Sequence, residues 1–291
     1  MKRLKLILII IIFGAIIIFS AVNLLNQNKL PEYKSKVQFA ENAEMNFEIT
    51  GEGNPVLFIH GLGTDSGIWK EQIDKVKKNY KVITVDLYGH GESENIPRDI
   101  TIKQTAGEIL NLLIDNDIDE VDIVAHGLGG LIALDMKNIN INFVKKLILL
   151  DTPVKRRNLA FMDDIYLKYI ENNFERAIEE YFNEKSSDEE LKDKIKSRAL
   201  KTNKYTFYNY TKSMIENDFL KIAKNFDNKN IYLFYSKTFV DDKKHLEFVK
   251  KQHGFKDVDD NNIYYYPNSG FFMMFKKPEK FLKDIEDILK I

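Results

Sequence analysis

A chain of 291 residues, 44% hydrophobic and 30% charged, has the size and composition for one large α/β domain or for a domain carrying an insertion. Its 43 basic and 44 acidic residues leave a net charge of −1, and no basic stripe is interleaved with aromatics, so nothing in the charge favours nucleic acid as a partner. With no cysteine there is no disulfide, thiolate nucleophile or cysteine-held metal, and the compartment is left open.

Lys2, Arg3 and Lys5 precede an apolar run from Leu6 to Phe19, which Ser20, Ala21 and Val22 extend to Asn23. A spanning helix takes roughly 17–25 apolar residues and a cleavable signal about 7–15, so this run lies on the border. Phe19-Ser20-Ala21 sets a bulky ring where a cleavage site needs a small residue. The expectation is therefore an uncleaved single-pass membrane anchor over residues 1–25, with a secreted protein as the alternative. The basic flank keeps the amino terminus cytoplasmic and sends the folded part outside. Residues 26–36, polar and containing Pro31, read as a tether.

Val37–Phe39 and Met45–Thr50 alternate like the strands of a hairpin, and Gly51–Pro55 is a turn. Val56–Ile59 and Val82–Val85 are continuous apolar runs, suited to strands buried on both faces. Thr101–Asn116 has helical spacing, Val121–Ala125 is a strand, and Leu147–Leu150 is another. From Thr152 to Asn228 the pattern is helical, charged and rich in aromatics. Strands resume at Ile231–Tyr235 and Ile263–Tyr266, and a helix over about Pro278–Leu289 closes the chain. Strands alternating with helices predict a mostly parallel central sheet flanked by helices, interrupted by a helical insertion. The core would comprise residues 37–151 and 229–291, and the insertion residues 152–228.

Four stretches carry a family resemblance: Phe47-Glu48-Ile49-Thr50-Gly51; Phe58-Ile59-His60-Gly61 leading to Trp69; Asp86-x-x-Gly89-His90-Gly91-x-Ser93; and Val124 to Gly130. In this order and spacing they resemble the α/β-hydrolase fold family, in its branch of esterases, lipases and haloperoxidases. The resemblance runs from about Val37 to the end, and it makes the insertion the family's helical cap. It also implies a serine, an acid and a histidine in that chain order. The serine attacks a carbonyl, the histidine takes its proton, and the acid fixes the histidine's tautomer.

This chain departs from that pattern at all three places. The serine's position, in a strand–turn–helix context, holds Gly127; the histidine's position, ahead of Lys277-Pro278-Glu279, holds Phe271. The acid's position falls near Phe239, with Asp241 and Asp242 close by. The resemblance further implies backbone oxyanion donors at Leu62, after His60-Gly61, and at Leu128. His126, His60 and His90 are read as packing residues, and His245 and His253 as solvent-facing on a charged helix. Asp151 is read as closing a strand, although some family members place the acid there. Ser66, Ser93 and Ser269 are explained by turn chemistry. No local ligand spacing points to a metal, and no cofactor is expected.

The expected function is that of a membrane-anchored, catalytically inactive homologue, binding a small acyl or carboxylate ligand or a protein. Two alternatives stand beside it. One is an active esterase-like enzyme with an unusual centre, such as His126 with Asp151 or Asp241. The other is a cell-envelope interaction protein that uses the cap.

Overall fold

Val56-Leu57-Phe58-Ile59 offers water no polar face, and it becomes the buried end of β2 (Asn54–Ile59). In the computed structural model, residues 44–95, 99–154, 160–183, 185 and 188–290 are described. The expected anchor, the tether and the Val37–Phe39 strand lie outside them. Among the described residues no helix is long and apolar enough to cross a membrane.

Seven strands form one sheet: β1 (Phe47–Thr50), β2, β3 (Tyr80–Val85), β4 (Val121–His126), β5 (Val144–Leu150), β6 (Ile231–Ser236) and β7 (Ile263–Tyr266). The spatial order is β1-β3-β2-β4-β5-β6-β7, with β1 antiparallel to β3 and all other pairs parallel. After β2 the chain winds to one side, towards β3, and with β4 it sets off to the other. The loops leaving β2 and β4 therefore meet at the point where the order reverses, the usual place for a crevice in such sheets.

Helices α1 (Lys70–Val76), α2 (Ile102–Asp115) and α3 (Leu128–Ile139) lie within the first half of the chain. Thr101 caps α2 in a reciprocal pair with Gln104, and Ile102, Ala106, Ile109, Leu110 and Leu113 supply its buried face. Between β5 and β6 come α4 (Ala160–Asn172), α5 (Phe174–Asn183), α6 (Glu189–Ala199), α7 (Lys204–Glu216) and α8 (Phe219–Ala223). Then follow α9 (Leu246–Gln252), α10 (Met273–Lys276) and α11 (Pro278–Lys290).

The inserted helices are fastened to the rest by polar contacts. Ile102 N–H donates to Ser213 Oγ at 3.0 Å, Thr105 Oγ1 and Tyr210 OH lie 3.0 Å apart, and Asn203 N–H donates to Gly89 O at 2.9 Å. Arg198 pairs with Asp65.

Three strands start earlier than expected, β2 at Asn54 within the expected turn, β3 at Tyr80 and β5 at Val144, and one histidine lies elsewhere than expected. The β5 strand starts at Val144, not Leu147, because Lys145 and Lys146 interrupt the apolar run without leaving the sheet. Lys146 turns its ammonium to the last carbonyls of α11, Ile288 O at 3.1 Å and Leu289 O at 3.2 Å, where a cation suits the helix terminus. His253 is buried, not solvent-facing: it ends α9 with its ring 6.1 Å from Tyr235 and 5.4 Å from Phe239. His245, at the start of the same helix, is exposed.

Candidate functional site

The β4 strand delivers His126, the chain turns at Gly127, and α3 begins at Leu128. Gly127 has φ +53° and ψ −114°, in the half of backbone space that side chains avoid and glycine does not. Gly129 permits the close approach behind it: a Cβ there would stand 2.6 Å from both the His60 and Ile59 carbonyl oxygens. The first turn of α3 thus presses directly on the end of β2.

The loop after β2 is held by two buried imidazoles. His60 Nε2 accepts from Leu87 N–H at 2.9 Å while its Nδ1–H donates to Gly61 O at 2.8 Å. His90 Nε2 accepts from Gly63 N–H at 3.1 Å while its Nδ1–H donates to Tyr88 O at 2.9 Å. Each ring uses one nitrogen as acceptor and so is neutral. Burial lowers both, holding His90 at about 3. Between these two clamps, the Leu62 N–H has no acceptor among the described residues. Leu128 N–H, in the first turn of α3, belongs to the group of donors that a helix cannot satisfy itself.

Phe271 meets this turn from the other side. The tip of its buried ring lies 3.2 Å from the place where a Cβ on Gly127 would stand. The structure therefore brings together the two positions that the family spacing pairs as nucleophile and base. His126 packs against the same ring at 4.3 Å and against Phe272 at 5.4 Å. Its Nε2–H donates to Phe271 O at 2.9 Å, and its buried Nδ1 has no partner among the described residues. Burial pushes His126 down to about 3, so the ring stays neutral at ordinary pH. A phenylalanine opposite a glycine offers no proton acceptor and no nucleophile.

Phe239, the family's acid position, is half-buried and stacks on Tyr235 at 6.1 Å. Asp241 is exposed and pairs with His245 at 2.6 Å, not with His126. Asp151 is fully buried at φ +40°, where Oδ1 accepts from Ser236 N–H at 2.8 Å and ties the end of β5 to the end of β6. Its Oδ2 has no partner among the described residues, and burial raises the carboxyl to about 7. Ser93 Oγ donates to Asp86 O at 2.5 Å and Ser269 Oγ to Tyr266 O at 3.0 Å, while Ser66 N–H donates to Asp86 Oδ1 at 2.7 Å.

Lys185 escaped the sequence reading. Its carbonyl accepts from Phe271 N–H at 3.0 Å, and its ammonium lies 4.7 Å over the Phe271 ring and 5.0 Å over Tyr181. One lysine among many charged residues carried no signal for this. On the other side of Leu62 a cavity of about 210 Å³ remains, bounded by Pro153 and, from the inserted helices, by Asp163, Tyr166, Tyr181 and Thr211. Phe271 fills the space in front of Gly127, and the space beside Leu62 stays open.

Residues 54–241 match the family described as alpha/beta hydrolase fold. The chain is 27% identical over 124 residues to an (E)-2-((N-methylformamido)methylene)succinate hydrolase of Acinetobacter baylyi, covering 43% of this chain and 47% of that one. It is 33% identical over 92 residues to 3-oxoadipate enol-lactonase 1 of the same organism, covering 31% and 34%. The match thus spans about half or less of the length of these curated relatives. Among solved structures, an esterase from Thermogutta terrifontis superposes with a TM-score of 0.74 at 20% identity, covering 85% of this chain and 93% of that one. An enol-lactonase from Burkholderia xenovorans does so with 0.72 at 16%, covering 86% and 97%. Together with the sheet order and the turn at Gly127, the matched span makes the chain a member of the α/β-hydrolase fold family.

Proposed function

We propose that this protein is a catalytically inactive member of the family that binds a small acyl or carboxylate ligand in the cavity beside Leu62. The observation that carries the reading is the contact between Gly127 and Phe271, two groups unable to form or activate a nucleophile, next to an open cavity. Leu62 lines the cavity and its N–H has no acceptor among the described residues, and such backbone donors do not depend on a triad. Lys2, Arg3, Lys5 and the apolar run to Val22 support anchoring in the cell membrane, with the folded part outside the cytoplasm. Residues 152–228 act as the cap over the ligand.

The test is turnover of short- and long-chain acyl esters by the full chain in detergent, with thermal-shift titration of short carboxylates alongside. The expected result is turnover no greater than a heat-killed control and a saturable shift with at least one carboxylate. Sustained turnover would sink the inactive reading. A second reading is an active hydrolase with a different centre. It is supported by the names of the relatives and by the unpartnered Nδ1 of His126. It requires that His126→Ala abolish the turnover while leaving the fold intact. A third reading, a cell-envelope protein as partner of the cap, requires that charge reversals on the exposed faces of α4–α6 release a co-purifying protein.

A further inference from the structure

Four lysines line one surface groove of about 800 Å³: Lys185, Lys192 of α6, Lys237 after β6, and Lys276 of α10. Among the described residues lining it there is no aspartate or glutamate. The other polar groups there include the Thr238 hydroxyl and the Asn268 amide, both able to donate hydrogen bonds. Among the described residues, Asp188 pairs with Lys276, Glu189 pairs with Lys192 at 2.7 Å, and Asp151 lies near enough to Lys185 to feel its charge. Glu189 is 81% exposed, and a pair of that kind is weak enough for a competing anion to displace.

So local a concentration of ammonium groups is notable in a chain of net charge −1. Its walls come from the turn after β6, at Lys237 and Thr238, and the turn after β7, at Pro267–Gly270, together with Asn183, Lys185, Lys192 and Lys276. A monovalent carboxylate would answer only one ammonium group. An anion of two or more charges with several acceptor oxygens answers the whole set.

We propose that this groove is a second binding site, separate from the cavity beside Leu62, and that it takes a phosphate-bearing ligand of at least two negative charges. Lys237 lines the groove and is exposed, so its substitution tests the site without disturbing the core. The full chain in neutral detergent is titrated calorimetrically with inorganic pyrophosphate and, separately, with glycerol phosphate. The expected result is saturable binding that weakens as salt rises. It should fall about tenfold in Lys237→Glu, with unchanged circular dichroism. Lys276→Gln should weaken it as well, by a smaller factor. Tighter binding of pyrophosphate assigns the site to free phosphate compounds, and tighter binding of glycerol phosphate assigns it to lipid or polymer headgroups. No saturable binding of either probe at low salt, or equal binding by wild type and both variants, would overturn the proposal.

Discussion

Phe271 and Gly127 fit one another, and neither changes alone without cost. A side chain at residue 127 must accept φ +53° and put its Cβ 3.2 Å from the Phe271 ring. Backbone strain of that kind costs about 1–3 kcal/mol. Gly127→Ser should therefore lower stability by about that amount in a denaturant titration and leave ester turnover unchanged. Combined with Phe271→Ala, it should cost less than the sum of the two single changes, because the ring no longer crowds the new side chain. Strict additivity would show that the ring yields freely. His126 supplies a second test, through pH. An unfolded histidine takes its proton near 6.5, while folded His126 waits until about 3. Between those values the unfolded chain binds more protons, so His126's contribution is fully present above 6.5 and drains away as pH falls towards 3. His126→Phe removes this dependence. From about pH 7.5 to about pH 5, wild type should lose about 2 kcal/mol relative to the variant. A parallel pair of stability curves would show that the imidazole is not desolvated as the packing indicates.

At the scale of elements, the decisive contact is α3 against the end of β2. The oxygens that a Gly129 Cβ would meet at 2.6 Å belong to the backbone of β2 and its loop, which cannot swing aside. At Gly67 a Cβ would come within 2.8 Å of the Arg198 guanidinium and of Asp65 Oδ1, but there the obstacles are side-chain ends and not backbone. Gly129→Ala should cost about 1–3 kcal/mol, as overpacking does, and Gly67→Ala clearly less. Equal losses would mean that α3 shifts without penalty. This contact also marks where the sequence is readable. Val56–Ile59 announces a buried strand because nothing in it suits water, and Val121–Ala125 does so through its apolar residues despite Asp122. Thr101 and Gln104 cap α2, whose limits lie within a residue of the expected ones. The start of β5 is hidden because Lys145 and Lys146 find partners at the beginning of this interior strand, Glu120 for the first and the last carbonyls of α11 for the second. His253 was misread because the Tyr235 and Phe239 rings that cover it come from distant stretches of chain. The positions of Gly127 and Phe271 followed from family spacing alone. That the Phe271 ring points at Gly127, under Lys185, is a matter of side-chain direction, which spacing does not encode.

At the scale of the molecule, the question is whether the helices between β5 and β6 can part from the sheet. The described residues form one compact unit. Opening it would strip Ile102 N–H and Thr105 Oγ1 of Ser213 and Tyr210, break Asn203 N–H from Gly89 O, and release Lys185 from Phe271. Each hydrogen bond exchanged for water contributes about 0.5–1.5 kcal/mol, and parting would also expose buried apolar side chains of the inserted helices such as Phe182, Phe207 and Tyr210, at about 1.5–3 kcal/mol each. The inserted helices and the sheet should therefore unfold together. Trp69, the only tryptophan, reports on the sheet side, packed at 5.5 Å from Phe58 and 6.3 Å from Phe281. Far-UV circular dichroism is weighted towards the helices. In urea, the two signals should trace one transition with a common midpoint. A helical loss that precedes any change at Trp69 would show that the insertion opens by itself. In that event the ligand proposed for the cavity beside Leu62 would enter as the inserted helices open, and a bound carboxylate should delay the first transition without moving the second.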